Sequence, residues 1–323
     1  MKAQGHRTAM LRAAAASAGL ALLIYAINFF SHGSFLTPGN LTNVLRQITF
    51  NTILAVGQTF VIITAGIDLS VGSLIELTGV VMATFANALH LSGFSLVAAA
   101  LAAGLLVGCG AGFINALPVV FLNLPPFITT LAMMLMARGL AFKLSHGRPV
   151  GLTSDAFDAI GTGTIFGVPI AVLWMAVIVA VFAVVLTCTR FGRYVFAIGG
   201  NEEAARLAGI NVRAVKTMVY VISGGCAAVS GLLLMARFSS GSPQTGIGSE
   251  LQSIAAVVVG GTSLMGGRGS VVSTFLGALL IGLLNNAMNL LSIESYTQDV
   301  VLGAVILIAV VIDELRKRYL RTT

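Results

Sequence analysis

Long apolar runs separated by short polar stretches dominate this chain. Read as helices, they predict spans near Leu11–Phe30, Ile48–Ala65, Val71–Leu89, Phe94–Leu117, Phe127–Leu144, Val168–Cys188, Ala214–Ala236, Leu251–Leu264, Val271–Leu291 and Gln298–Ile312. Hydrocarbon offers backbone N–H and C=O groups no partner but each other, and about 20 helical residues cross it. The runs are too long for barrel strands, so the predicted fold class is all-α, a polytopic transmembrane bundle of about ten spans, with the eighth short and glycine-rich. An even number of spans leaves both termini on one side. Lys2, Arg7 and Arg12 lie at one end and Arg316, Lys317, Arg318 and Arg321 at the other, so the positive-inside rule puts both termini in the cytoplasm. The same topology places Arg190, Arg193, Arg206, Arg213 and Lys216 inside and leaves the opposite loops only Arg46, Lys143, Arg148 and Arg237.

Composition agrees with the pattern: 57% of residues are hydrophobic and 9% charged, and the mean hydropathy of +0.98 lies far from that of soluble domains. A net charge of +7 would point to nucleic acid in a soluble protein. Here the cations sit in loops and tails, where topology requires them, and no nucleic-acid partner is expected; the lipid bilayer is the partner. The basic N-terminus and its apolar stretch also describe a secretory signal peptide, but without a small-residue cleavage site they read as a retained first helix. Cys109, Cys188 and Cys226 fall in or at the end of spans at unrelated spacings, and His6, His32, His90 and His146 lie in the N-terminal tail or near span ends. Neither set forms a disulfide framework, a metal site or a catalytic constellation.

The exceptions to the apolar pattern carry the chemistry. FGRYVFAIGGNEEAARLAGIN, between Arg190 and Asn211, is the one sizeable polar segment. Asn201 is a good N-cap, Glu202 and Glu203 occupy the first turn where the helix dipole favours anions, and Gly209 offers a left-handed stop. Glu202 and Arg206 are spaced for an i, i+4 pair, and Ala204, Leu207 and Ala208 make a small apolar face. Such a helix either docks in a groove of another protein or merely connects two spans.

In TAGIDLSVGS, Thr64–Ser73, Asp68 lies between two apolar helices near the membrane boundary, where an ionised group must be capped, paired or wetted. Capping the next helix through the Val71 amide is the structural reading, with Gly66 and Gly72 permitting tight turns or close packing and Ser70 beside them. Substrate contact is the other. Glu76, two turns on and on much the same predicted face, is a rare carboxylate inside a span, paired internally or lining an aqueous path. Thr129, Thr130 and Arg138 in the fifth span, and Asn285, Asn286 and Asn289 in the ninth, are either interhelical hydrogen-bonding groups or path-lining ones. Gly104, Gly108 and Gly112 repeat every four residues and predict a smooth face for close helix packing. VVVGGTSLMGGRGS, Val257–Ser270, lacks the Lys and Ser/Thr of a phosphate-binding loop and reads as a broken helix with a tight turn.

Three of these runs, GIDLSVGS at Gly66–Ser73, AIGGNEEAARLAGI at Ala197–Ile210 and AAVVVGGTSLMGGRGS at Ala255–Ser270, resemble the membrane-permease subunits of bacterial ABC importers for monosaccharides, the ribose, arabinose, xylose, galactose and autoinducer-2 group. FLTPGNLTNVLRQ at Phe35–Gln47 and LNNAMNLL at Leu284–Leu291 extend the resemblance over nearly the whole chain. It implies a single transmembrane permease domain over 1–323 with a cytoplasmic loop at 190–213, in the bacterial inner membrane. It implies a second permease copy, identical or a sister chain, a periplasmic sugar-binding protein and a cytoplasmic ABC ATPase subunit. No cofactor or catalytic residue is expected on this chain, which has no Walker motif. The resemblance also makes Asn201, Glu202, Glu203, Ala204, Ala205, Arg206, Leu207 and Gly209 the coupling helix and its stop, and puts binding-protein docking chiefly on Ser145–Gly167 and Phe238–Glu250. The competing reading is an ion-coupled secondary sugar transporter with Glu76 or Asp68 as its titrating group.

Overall fold

The computed structural model describes Asn28 and residues 33–321, with side chains to Val311. The predicted first span, Leu11–Phe30, therefore lies outside the described residues apart from Asn28. In chain order the helices are α1 (Pro38–Ile63), α2 (Val71–Ala88), α3 (Gly93–Phe121), α4 (Pro126–Leu144), α5 (Asp155–Thr162), α6 (Ile170–Cys188), α7 (Arg190–Gly200), α8 (Glu202–Leu207), α9 (Val212–Phe238), α10 (Ser249–Val259), α11 (Val271–Leu290) and α12 (Ser295–Arg321). Two-residue strands β1 (Val150–Gly151) and β4 (Ser240–Gly241) pair antiparallel, as do β2 (Thr164–Ile165) and β3 (Val168–Pro169). Among the described residues six helices, α2, α3, α4, α6, α9 and α11, are long and apolar enough to cross a membrane.

The most extensive helix–helix contact joins α9 to α3, and α9 also packs on α1 and α2. In hydrocarbon, apolar side chains gain little by leaving lipid for protein, so helices associate through close van der Waals contact at small residues. The predicted glycine face does this. A methyl on Gly108 would stand 2.3 Å from the Gly224 carbonyl oxygen, one on Gly112 2.2 Å from that of Tyr220, and one on Gly104 2.6 Å from Met82 Sδ. Around this contact α9 buries Val215, Val219, Tyr220, Leu232 and Leu233, making it the central helix of the bundle.

Two elements differ from the hydropathy pattern. First, α1 starts ten residues before the predicted Ile48. Thr37 caps it, its hydroxyl accepting from the Asn40 amide at 3.3 Å, and Pro38 occupies the first turn. Asn40, too polar to count as part of a span, is buried in a reciprocal amide pair with Asn286 of α11: Asn40 Nδ2 donates at 2.8 Å and Asn286 Nδ2 at 2.9 Å. Second, the predicted span Leu251–Leu264 is not a spanning helix. α10 has 11 residues, about 16 Å at about 1.5 Å per residue, against roughly 30 Å of hydrocarbon. The segment before it supplies the rest. From β4 the chain turns back along α2, with a methyl on Gly241 falling 2.4 Å from the Gly79 carbonyl oxygen and one on Gly246 2.0 Å from that of Gly72. This stretch packs on α2 through its glycines, with Gly241, Pro243 and Gly246 buried and Gln244 and Ile247 exposed.

Adding a methyl at the α3–α9 contact should be far worse than adding one on an open face. Gly224→Ala places a Cβ 2.0 Å from the Gly108 carbonyl oxygen and should cost about 3 kcal/mol. Gly110→Ala meets nothing within 4 Å and should be neutral or slightly stabilising; thermal unfolding of both variants in detergent measures the difference.

Candidate functional site

The polar segment after α6 folds as two helices. Thr189 caps α7, its hydroxyl accepting from the Gly192 amide at 3.2 Å, and Gly192, Val195 and Ile198, three residues apart, form its buried stripe. Asn201 then caps α8, Oδ1 accepting from the Ala204 amide at 3.0 Å, and Gly209 takes a left-handed φ of +82°. Glu202 Oε1 accepts from Arg206 at 3.4 Å and Glu203 lies 3.8 Å from the same guanidinium, exposed pairs each worth a few tenths of a kcal/mol. Lys216, at the start of α9, donates to the second oxygen of Glu202 and ties α8 to the central helix. Ala205 is the buried contact of this short helix. Ala204, Leu207 and Ala208 are exposed, Leu207 by 82%. Beside α8 a cavity of about 270 Å³ is lined by Val119, Asn123, Arg206, Arg213 and Lys216 among others. α8 is thus a capped helix braced by ion pairs, with its leucine exposed.

The loop between α1 and α2 is a hydrogen-bonded hub. Asp68 is fully buried and does not cap α2 through Val71, as its position predicted. Its Oδ1 accepts from the Ser70 amide at 3.0 Å and the Ser70 hydroxyl at 2.6 Å, and its Oδ2 accepts from the Ser223 hydroxyl of α9 at 2.8 Å. A buried carboxylate is held by such donors far better than by one helix amide. The loop is tied on three further sides: Asn115 of α3 donates to Ser70 Oγ at 2.9 Å, Gln58 of α1 to the Asp68 carbonyl at 2.8 Å, and Thr130 of α4 to the Ile67 carbonyl at 3.1 Å. Gly66 faces α9, with a methyl there only 2.7 Å from the Tyr220 hydroxyl. Gly66, Asp68, Ser70 and Thr130 therefore belong to one constellation that joins four helices.

The other candidates separate from it. Asp68 precedes α2 and does not share a helix face with Glu76, contrary to expectation. Glu76 is fully buried on α2 and accepts from Arg138 Nε of α4 at 3.4 Å. Thr129 bonds only within its own turn, to the Pro126 carbonyl. Asn286 belongs to the pair with Asn40, while Asn289 is exposed and accepts from Gln298 at 2.9 Å. Asn285 is half-buried, one position from that pair. Sequence reasoning missed Ser223, Lys216 and Glu250; the first two complete contacts across 155 and 14 residues, and no local pattern marks them. The buried stripe of α7 was not read from the sequence, although its three-residue spacing carries the signal.

Residues 40–310 match the family described as branched-chain amino acid transport system / permease component. The chain belongs to this permease family. The permease is 46% identical over 296 residues to the ribose import permease protein of Escherichia coli K12, covering 90% of this chain and 91% of that one. The ribose import permease protein of Haemophilus influenzae is 44% identical, covering 90% of both. The L-arabinose transport system permease protein of Escherichia coli K12 is 39% identical over 306 residues, covering 93% of this permease and 92% of the relative. No solved structure matches it. The resemblance read from the three motifs is met by these sugar permeases, although the family description names another cargo.

If Asp68 holds the bundle together, its substitutions should rank by the hydrogen bonds they keep. Asp68→Ala strips acceptors from two buried serines and should cost about 4 kcal/mol. Asp68→Asn retains Oδ1 and can donate to Ser223 Oγ, so it should lose distinctly less; detergent-solubilised yield and melting temperature of the two variants report the order.

Proposed function

We propose that this permease forms the translocation path of an ATP-driven monosaccharide importer in the bacterial inner membrane. It would take a pentose, a hexose or a related sugar from a periplasmic binding protein and work with a cytoplasmic ABC ATPase subunit that carries all the ATP chemistry. Relatives named for ribose, allose and L-arabinose support the substrate class. Nothing found supports the ion-coupled alternative. The permease acts as two copies, identical or paired with a sister chain, in a single domain over 1–323. About ten crossings are counted when the stretch from β4 through α10 is taken as one and the span at 11–30 is included, with both termini cytoplasmic.

The observation that carries the mechanism is the exposed, capped α8, Asn201 to Leu207 with its stop at Gly209, at the foot of the central helix. With 27 residues α9 reaches about 40 Å. At its far end β4 pairs with β1, joining the Phe238–Glu250 and Ser145–Gly167 segments that would receive the binding protein. ATPase closure moves α8, α9 carries the motion across the membrane, and the path opens between copies. Selectivity rests largely with the binding protein, and weak permease contacts let the sugar leave.

Ala204→Trp fills the exposed face of α8 and Arg206→Glu reverses its charge. Both variants should insert at normal abundance yet lose about tenfold or more of ATP-driven sugar uptake in reconstituted vesicles, with hydrolysis no longer answering to loaded binding protein. Normal uptake by both would sink the coupling assignment.

A further inference from the structure

The stretch between β4 and α10 leads to a second charged cluster that the coupling mechanism does not use. Glu250 stands in the first turn of α10, the 11-residue helix that follows this stretch. Its Oε2 lies 2.1 Å from where a methyl on Gly72 would stand, one helical turn before Glu76 on α2. From the same stretch Gly246 meets Glu76, with a methyl there 3.0 Å from Cγ. Two carboxylates and the Arg138 guanidinium thus gather where α2, α4 and α10 meet, and they can do so because Gly72 and Gly246 carry no side chains.

The carboxylates of this cluster are less filled than that of Asp68, both of whose oxygens have donors, although Gln58 Oε1 and the Tyr220 hydroxyl beside Asp68 are also unpartnered. Ser73 Oγ, Glu76 Oε1, Arg138 Nη2 and Glu250 Oε2 are all buried without a hydrogen-bond partner. A structural staple between α2 and α4 needs only Glu76 and Arg138. A second carboxylate beside the first adds repulsion and another unmet acceptor. The set matches a polyhydroxylated solute, because each sugar hydroxyl donates to a carboxylate oxygen and accepts from a guanidinium N–H.

Exposure tells what lies next to it. Arg138 lies 12 residues into α4 and six before its end, about 18 Å and about 9 Å from the two ends, yet 29% of its side chain is exposed. On the neighbouring α10 side Ile247 and Leu251 are 60% and 52% exposed. A guanidinium bared to lipid that far from the helix ends is disfavoured, which favours a face turned toward water or the second copy. We infer that Glu76, Arg138 and Glu250 form a sugar-hydroxyl contact site on the translocation path, at the point where α10 begins. The inference rests on the importer reading above. An unshared, partly hydrated cluster of this kind holds a sugar weakly, as onward release requires.

The test uses the complete importer in proteoliposomes, with its binding protein and ATP, and compares Glu250→Gln with wild type. Uptake of radiolabelled ribose, L-arabinose, allose and 2-deoxyribose is measured for both. Because the binding protein is the same, a changed ratio between sugars arises in the permease. The expected result is a fall of about tenfold for the preferred sugar with a shift of about fivefold in at least one ratio. Unchanged uptake, or a fall equal for every sugar, overturns the site. A wild-type complex that takes up no sugar overturns the importer reading along with it. Whether or not the variant accumulates, Leu251→Cys in a chain whose Cys109, Cys188 and Cys226 are alanine probes the same turn. A water-soluble cationic methanethiosulfonate should label it in the complex, whereas labelling only by a lipid-soluble maleimide overturns the site.

Discussion

The closeness of two helix backbones sets the terms for the rest of the molecule. Gly108 of α3 and Gly224 of α9 approach until neither has room for a methyl, with Gly112 extending the contact toward Tyr220. Lipid tails are as apolar as leucine, so burial alone gives little reason for helices to pair, and dispersion across a tight, smooth contact supplies it. Once α9 is pressed against α3, its next residues are placed as well. Ser223, adjacent to Gly224, reaches Asp68 at 2.8 Å, and Gly231 on the same helix meets α2, with a methyl there 2.5 Å from Thr78 Oγ1. The side-chain hydrogen bonds that specify the bundle can form because the backbones are already close.

Those hydrogen bonds determine register where dispersion does not. Apolar contacts tolerate sliding by a fraction of a turn. The Asp68 carboxylate, with its three donors, and the Asn40–Asn286 amide pair do not, because displacement would strand polar atoms in a medium without water. Both are satisfied and internal, which is how a structural polar group behaves in hydrocarbon. The Glu76–Arg138–Glu250 cluster, with Glu76 Oε1, Arg138 Nη2 and Glu250 Oε2 unpartnered, departs from that rule.

Hydropathy located the helices that are apolar throughout: Val71–Leu89 and Val271–Leu291 end within a residue of α2 and α11. Capping chemistry placed α8, since Asn201, two glutamates and Gly209 act within one short stretch of chain. The polar first third of α1 escaped because Asn40 and its neighbours count against a span in any sliding window, although the Thr37–Pro38 cap signal was present. Asp68 was marked as costly, but its partner could not be named, because Ser223 lies 155 residues away and nothing in a local pattern encodes which serine arrives there. The half-length of α10 was hidden for a related reason. An extended segment packed on α2 through Gly241 and Gly246 looks, in sequence, like an ordinary loop.

Where stiffness lies in the bundle bears on the proposed mechanism. α9 is one unbroken helix, clamped to α3 along its glycine contact and tied by Lys216 to α8 at its foot. An element so clamped moves as a body, sliding or tilting with its neighbours, because bending it would open contacts that have no lipid substitute of equal density. The stretch between β4 and α10 is different: it has no helical ladder of its own and is held by a two-residue strand pair and by glycine contacts to α2. Displacement of the stiff helix therefore concentrates in this stretch, between β4 and the first turn of α10. That is where Glu250 stands against Gly72, so motion arriving from α8 would alter first a charged cluster whose hydrogen bonds are unfilled.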